Sequence, residues 1–382
     1  MISTLISKLP HIQSSIFTII GKMAREHKAL NLSQGFPNFE TDPHLIELVS
    51  EAMKQGANQY APMEGIYSLR EVISAKIEQL YGKCYAPDKE IIMVAGATQG
   101  IFTAITAVVH KGDEVIIFKP AYDCYEPAIE INGGIPVFIQ MKGKDFKIDW
   151  DAFRASITNK TRLVIINTPH NPTGSILSAE DMKELTDSLR DTDILVLSDE
   201  VYEHMVFDGR SHESVSKYPE LAERSFVMAS FGKTFHVTGW KMGYCAAPAS
   251  LMAEFRKVHE FNVYAVNHPV QKALVSYLQN ESNYLGLSAF FQRKRDLFLE
   301  AIAPSRFKFT PTRGTYFQLL DYSAITDEGD VDFAARLIKE KGLASIPISV
   351  FCVDQLDQKQ LRFCFAKKDD TLLQAAEIIN NI

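Results

Sequence analysis

Lys233 stands in the run Ser230-Phe231-Gly232-Lys233-Thr234, directly after the apolar stretch Phe226–Ala229. A lysine held at a strand end by a glycine-permitted turn is open to partial desolvation, which favours the neutral amine that attacks an aldehyde. Upstream, the apolar run Ile194–Ser198 ends on Asp199, with Glu200 and Tyr202 just after it. A carboxylate at the end of a buried strand costs free energy unless something positive pairs with it. A helix start, a metal ion or a protonated ring nitrogen would each meet that need. Further upstream, Leu163–Asn167 runs into Thr168-Pro169-His170-Asn171-Pro172-Thr173-Gly174. The two prolines stiffen this turn, and the Asn171 amide can donate to an oxygen on a ring held nearby, as can the Tyr202 hydroxyl. Earlier still, Gly96-Ala97-Thr98-Gln99-Gly100 follows another apolar run. Small residues at a helix start leave backbone N–H groups free for a phosphate, and the Thr98 hydroxyl can assist. Ser230 and Lys241 lie on the lysine loop and are further phosphate candidates. Tyr122, in Pro120-Ala121-Tyr122-Asp123-Cys124-Tyr125, can stack on a ring or simply pack.

These residues need a frame that brings them together. Seven short apolar runs read as strands: Ile91–Ala95, Val115–Phe118, Pro136–Ile139, Leu163–Asn167, Ile194–Ser198, Phe226–Ala229 and Met242–Ala246. Helical patterns lie between several of them, notably Gln99–Val109 and Ala179–Leu189, the second with Ser178 as N-cap. Strand, helix, strand in succession predicts an α/β architecture: a mostly parallel sheet covered on both faces. Ligands of such sheets bind beyond the carboxyl ends of the strands, and the residues named above fall there. From about residue 281 the pattern changes to a charged helical run and short strand-like pieces around Thr315–Leu320 and Leu361–Phe365, which predicts a smaller α+β domain. The division is thus residues 1–40 as an amino-terminal arm, 41–280 as the large domain and 281–382 as the small one.

Composition narrows the class. A chain of 382 residues, 46% hydrophobic and 23% charged, has room for two cores and no bias towards disorder. A net charge of -7 with dispersed lysines and arginines argues against nucleic acid or an anionic membrane as partner. The five cysteines form no CxxC pair and are expected to be reduced, and no metal site is expected. The opening stretch is broken by Lys8, Pro10 and His11 and lacks the features of a secretory leader, so the cytoplasm is the expected location. There is no P-loop and no G-x-G-x-x-G, which sets aside nucleotide and nicotinamide chemistry.

The segments GATQG, PAYDCY, NTPHNPTG, SDEVYEH, SFGKTFHVTGWKMGY and LRFCFAKK occur in that order over nearly the whole chain. As a set they resemble the class I aminotransferases of fold type I, enzymes that use pyridoxal 5'-phosphate. The resemblance implies Lys233 as the Schiff-base lysine. It puts Asp199 on the pyridine nitrogen, where an acidic residue keeps the ring protonated and able to accept electrons from the substrate α-carbon. Asn171 and Tyr202 would meet the ring hydroxyl, Tyr122 would stack on the ring, and Ala97, Thr98, Gln99, Ser230 and Lys241 would hold the phosphate. Arg362 would bind the substrate α-carboxylate through its planar fork, beside Asn171 and Gly35. Tyr60 would reach the phosphate of a neighbouring subunit, which implies a homodimer with shared sites.

Many class I members have arginine where this chain has Lys241. With lysine there, the chain resembles the kynurenine and glutamine transaminases and, more closely, bacterial methionine aminotransferases. The expected reaction is transfer of an amino group from an uncharged L-amino acid, chiefly methionine or an aromatic one, to a 2-oxo acid. Phe17, Tyr60, Tyr316 and Phe351 are candidates to line the side-chain pocket, and Arg313 is a poor candidate for binding a second carboxylate. The rival readings are a β-lyase acting on cysteine conjugates or cystathionine, and a ligand-sensing module of a transcription regulator.

Overall fold

The structure is a computed structural model that describes residues 6–12 and 14–382; residues 1–5 and Gln13 of the opening stretch lie outside it. Among the described residues twelve strands run β1 (Leu30–Asn31), β2 (Ile91–Val94), β3 (Glu114–Lys119), β4 (Ile135–Gln140), β5 (Thr161–Asn167), β6 (Leu195–Asp199), β7 (Ser225–Ser230), β8 (Gly243–Ala246), β9 (Phe317–Asp321), β10 (Leu343–Ala344), β11 (Ile346–Pro347) and β12 (Gln360–Cys364). Strands β2 to β8 form one seven-stranded sheet in the order β2-β8-β7-β6-β5-β3-β4. Each of the seven predicted runs is one of these strands.

The sheet is apolar on both faces because both are covered. Ile92, Val94, Val115, Ile117, Leu163, Ile165, Leu197, Phe226 and Met228 pack into one core cluster with the helix Ala97–Val108. Ile91, Met93, Ile116, Val164, Ile166, Val196 and Val227, their alternating neighbours, pack into the other. Alternation by two between two buried faces is why these strands read as unbroken apolar runs. The helix Ala179–Leu189 begins at Ser178 with a reciprocal capping box to Asp181, so two of its otherwise unpaired N–H groups are satisfied.

Six of the seven strands are parallel, and β8 is antiparallel to both its neighbours, β2 and β7. The chain from Phe231 to Met242 never crosses a face of the sheet. It turns at the carboxyl edge and returns as β8, so Lys233 and Lys241 are both kept at that edge.

A second sheet, ordered β11-β12-β9 and antiparallel throughout, carries the chain's later chemistry. Arg362 sits at its centre, paired in register with Ile346 on one side and Leu319 on the other. β1 pairs in parallel with β10, and Leu32 extends the contact by donating its N–H to Ala344 and accepting from Cys364. The segment that follows, Ser33 to Phe36, is thereby held against β12. Among the described residues no helix is long and apolar enough to cross a membrane, and the five cysteines are free.

Candidate active site

A cavity of about 180 Å³ opens where strand ends meet helix starts, and its wall includes Ala97, Thr98, Tyr122, Asn171, Asp199, Tyr202, Ser230, Lys233 and Lys241. The predicted residues therefore converge from five separate strand ends, as expected for the carboxyl edge of a mostly parallel sheet.

Lys233 lies on a short helical turn, Phe231–Thr234, capped by the Ser230 hydroxyl. Its Nζ is 3.0 Å from the Gly35 carbonyl oxygen, to which it donates. Burial lowers its pKa to about 8, and the positive charges of Arg362 and Lys241 push in the same direction. A neutral amine is thus accessible near neutral pH, which is what nucleophilic and proton-transfer roles require.

Asp199 ends β6 and is only 3% exposed. Its Oδ2 accepts from the Tyr125 hydroxyl at 2.5 Å and its Oδ1 from the Val201 N–H at 3.4 Å. Among the described residues no basic side chain forms an ion pair with it, and burial raises its pKa to about 6. A buried carboxylate with only neutral donors, facing a cavity, is costly and fits a cationic partner. The protonated nitrogen of pyridoxal phosphate is such a partner.

The opposite end of the cavity suits the phosphate. Gly96 has φ +79°, and the N–H groups of Ala97 and Thr98 that follow it have no acceptor among the described residues. A Cβ on Gly96 would come within 3.1 Å of Lys241 Nζ, so glycine keeps room for that ammonium at the mouth of the helix. Free amides, the helix dipole and one ammonium make an anion site. Gln99 is the exception in this group. Its side-chain oxygen accepts from the Ala95 N–H, its amide donates to Thr103, and its own N–H is used by Gly96. It caps the turn and does not line the cavity.

Arg362 is 1% exposed, and its fork is only partly used. One Nη donates to Asn171 Oδ1 at 2.8 Å and the other to the Ser33 carbonyl at 3.1 Å, while Nε has no partner. It has no acidic partner among the described residues. The guanidinium carbon lies 3.9 Å above the Phe317 ring and 5.2 Å from Phe17, whose ring centre is 5.7 Å from that of Phe351. A buried guanidinium without a carboxylate, walled by aromatic rings, fits a ligand carboxylate attached to an apolar group.

Gly35 accepts from both Lys233 and Tyr316, the latter at 2.6 Å, and a Cβ there would meet the Phe317 ring at 2.9 Å. Phe17 and Tyr316 of the predicted side-chain pocket lie beside Arg362 and Gly35, and Phe351 lies behind Phe17. Tyr60 does not join them: it is 81% exposed, edge-on to Tyr264. Arg313 is also elsewhere and is absent from this cavity.

Two residues at the site were missed by sequence reasoning. Tyr125 holds Asp199, and its place three residues after Tyr122 at a helix start was the available signal. Asn167 donates to the Asp199 carbonyl at 2.8 Å and accepts from the Asn171 N–H at 2.8 Å, tying two strand ends together. Nothing local distinguishes it from any asparagine at the end of a strand.

Residues 27–379 match the family model described as aminotransferase class I and II. The chain is 47% identical to a methionine aminotransferase of Escherichia coli strain K12 over 98% of both chains. A crystal structure from Escherichia coli, described as identifying a methionine aminotransferase function, superposes with a TM-score of 0.96 over 99% of this chain and 100% of that one. A human kynurenine-oxoglutarate transaminase is 32% identical over 97% of this chain and 89% of its own.

Proposed function

Given that the chain belongs to the class I and II aminotransferases, pyridoxal-phosphate enzymes of fold type I, we propose that it transfers the amino group of methionine and of aromatic amino acids to a 2-oxo acid. The observation that carries this reading is Arg362, a buried guanidinium with a free Nε, no acidic partner among the described residues and the Phe317 and Phe17 rings close to it. The resemblance to a methionine aminotransferase over the full length supports the same donor. Kynurenine is the alternative aromatic donor, favoured by the likeness to the human transaminase.

When bound, pyridoxal phosphate supplies the electron sink that makes the substrate α-proton acidic. The chain's own residues do the rest. Asp199 holds the ring nitrogen, while Asn171 and Tyr202 meet the ring oxygen and Tyr122 covers the ring face. Ala97, Thr98, Ser230 and Lys241 hold the phosphate. Arg362 fixes the substrate α-carboxylate and so points the α-carbon at Lys233. Lys233 Nζ, with a pKa lowered to about 8, takes the α-proton as a general base and returns it as a general acid. Phe317 and Phe17 exclude water beside the carboxylate and leave no cation for a second one, which disfavours aspartate.

On this reading residues 41–280 form the cofactor domain and 281–382 a smaller domain that brings Arg362, with residues 1–40 as an arm. The exposed Tyr60 serves a neighbouring subunit, so the working form is a homodimer with shared sites, in the cytoplasm. The test is a single-turnover absorbance scan with methionine, phenylalanine or aspartate and no acceptor. Conversion of the bound cofactor to its amine form by the first two and not by aspartate is the expected result. A cofactor band that persists rejects it in favour of the ligand-sensing module, and one that returns with release of pyruvate and ammonia from a cysteine conjugate rejects it in favour of the lyase.

A further inference from the structure

The chain from Ser33 to Phe36 touches Arg362, Lys233 and Phe17, yet it belongs to no strand or helix. Among the described residues none of its four carbonyls accepts from a backbone N–H, and each is met by a side chain instead. An Nη of Arg362 donates to the Ser33 carbonyl at 3.1 Å, and Lys233 Nζ and the Tyr316 hydroxyl both donate to that of Gly35. The Lys367 ammonium answers the other two, Gln34 at 3.3 Å and Phe36 at 2.7 Å. Lys367 stands just after β12, is 3% exposed and has no carboxylate partner among the described residues. A buried ammonium without a carboxylate costs free energy, and these two carbonyls are what offsets it.

The donors differ in what the reaction asks of them. On the reading above, Arg362 turns to the substrate carboxylate and Lys233 to the cofactor, so the hold on Ser33 and Gly35 weakens when the site fills. Lys367 lines no part of the cavity and keeps its two carbonyls throughout. The segment also carries a wall of the site: Gln34 Nε2 donates to the Phe17 carbonyl at 3.4 Å, and the Phe17 ring lies beside Arg362. We propose that Lys367 is a positioning residue for the amino-acid substrate, keeping Ser33–Phe36 and the Phe17 wall in place while Arg362 and Lys233 are drawn away. The inference rests on Arg362 as the carboxylate site and adds the residue that holds this site in shape.

Lys367→Met, made in the cofactor-loaded protein, keeps the length of the side chain and removes its donors. KM for methionine should rise about tenfold, the size of one or two hydrogen bonds, with kcat within about twofold of the parent because Lys233 is untouched. Hydrogen exchange read by mass spectrometry, without substrate, should be about tenfold faster in the peptide covering residues 32–37 and unchanged in β5, β6 and β7. In the parent the Ser33 and Gln34 N–H groups of that peptide are tied to Asn31 Oδ1. Unchanged KM or unchanged exchange overturns the proposal. A fall in kcat with KM kept, or faster exchange throughout the protein, makes Lys367 an ordinary structural residue and overturns it too. Should this variant not fold, Lys367→Gln, whose shorter amide cannot reach both carbonyls, is read in the same way. The exchange measurement needs no turnover, so a protein that ignores methionine sinks the donor assignment while the exchange still decides this inference.

Discussion

Asp199 and Glu203 lie four residues apart, both are buried, and the chain treats them in opposite ways. Glu203 accepts from Lys76 Nζ at 2.6 Å and from the Tyr81 hydroxyl at 2.6 Å, and its carboxyl pKa is lowered to about 2 by that ammonium against the cost of burial. Asp199 receives only neutral donors and is raised to about 6. The arginines divide in the same way: Arg295 grips Asp208 through both Nη groups at 2.8 and 2.6 Å, whereas Arg362 has no carboxylate at all. A buried charge the chain answers by itself holds structure together. Asp199, left facing the cavity, and Arg362, left without a carboxylate beside Asn171 of the cavity wall, are reserved for something that arrives.

The largest way to test this contrast is to remove the amine at its centre. Lys233→Ala should lower kcat for methionine by roughly four orders of magnitude with unchanged circular dichroism, since one group serves as nucleophile, base and acid. Residual turnover above about a tenth of the parent would place the proton transfer elsewhere. On the structural side, Lys76→Met leaves Glu203 buried without its cation. Urea unfolding should show a loss of about 3–5 kcal/mol, while the folded fraction keeps the parent kcat/KM. A loss of activity without a loss of stability would mean the pair belongs to the site.

A pH series sharpens the same point in the cofactor-free protein. The Asp199 pKa is higher folded than unfolded, so its protonation stabilises the fold fully below the ordinary aspartate value of 3.8. That contribution, about 3 kcal/mol, is lost as the pH rises through about 6. Asp199→Asn removes it, so the stability of the parent relative to the variant should fall between pH 4 and 6. A difference that stays flat over that range would contradict the raised pKa. Glu203 has the opposite sign: its contribution is present above 4.5 and is lost as the pH falls through about 2. Smaller still, Arg362→Lys should cost about 1.5–3 kcal/mol in kcat/KM for methionine, mainly through KM. The decarboxylated amine of methionine, which has nothing to offer the fork, should be indifferent to the change.

The sheet was legible because each strand is apolar on both faces, and the cavity because its residues follow strand ends. The same logic failed at Gln99, which sits in the right loop but turns its side chain back to Ala95 and Thr103. It also missed Tyr125, whose spacing from Tyr122 at a helix start was its one local signal, and Asn167, whose contact with Asp199 on the neighbouring strand no local pattern encodes. The contact of Arg362 with Ser33 joins residues at opposite ends of the chain, and only the resemblance to known enzymes could have pointed to it. Composition likewise carried no hint of the pairing of Lys76 with Glu203, because an answered buried charge has the same letters as an exposed one.

The most direct measurement of the account is borohydride reduction of the cofactor-loaded protein, followed by proteolysis and mass spectrometry. The account predicts the reduced cofactor on the peptide that contains Lys233 and on no other lysine. An adduct on Lys241 or elsewhere, or a protein that takes up no cofactor while remaining folded, would contradict it.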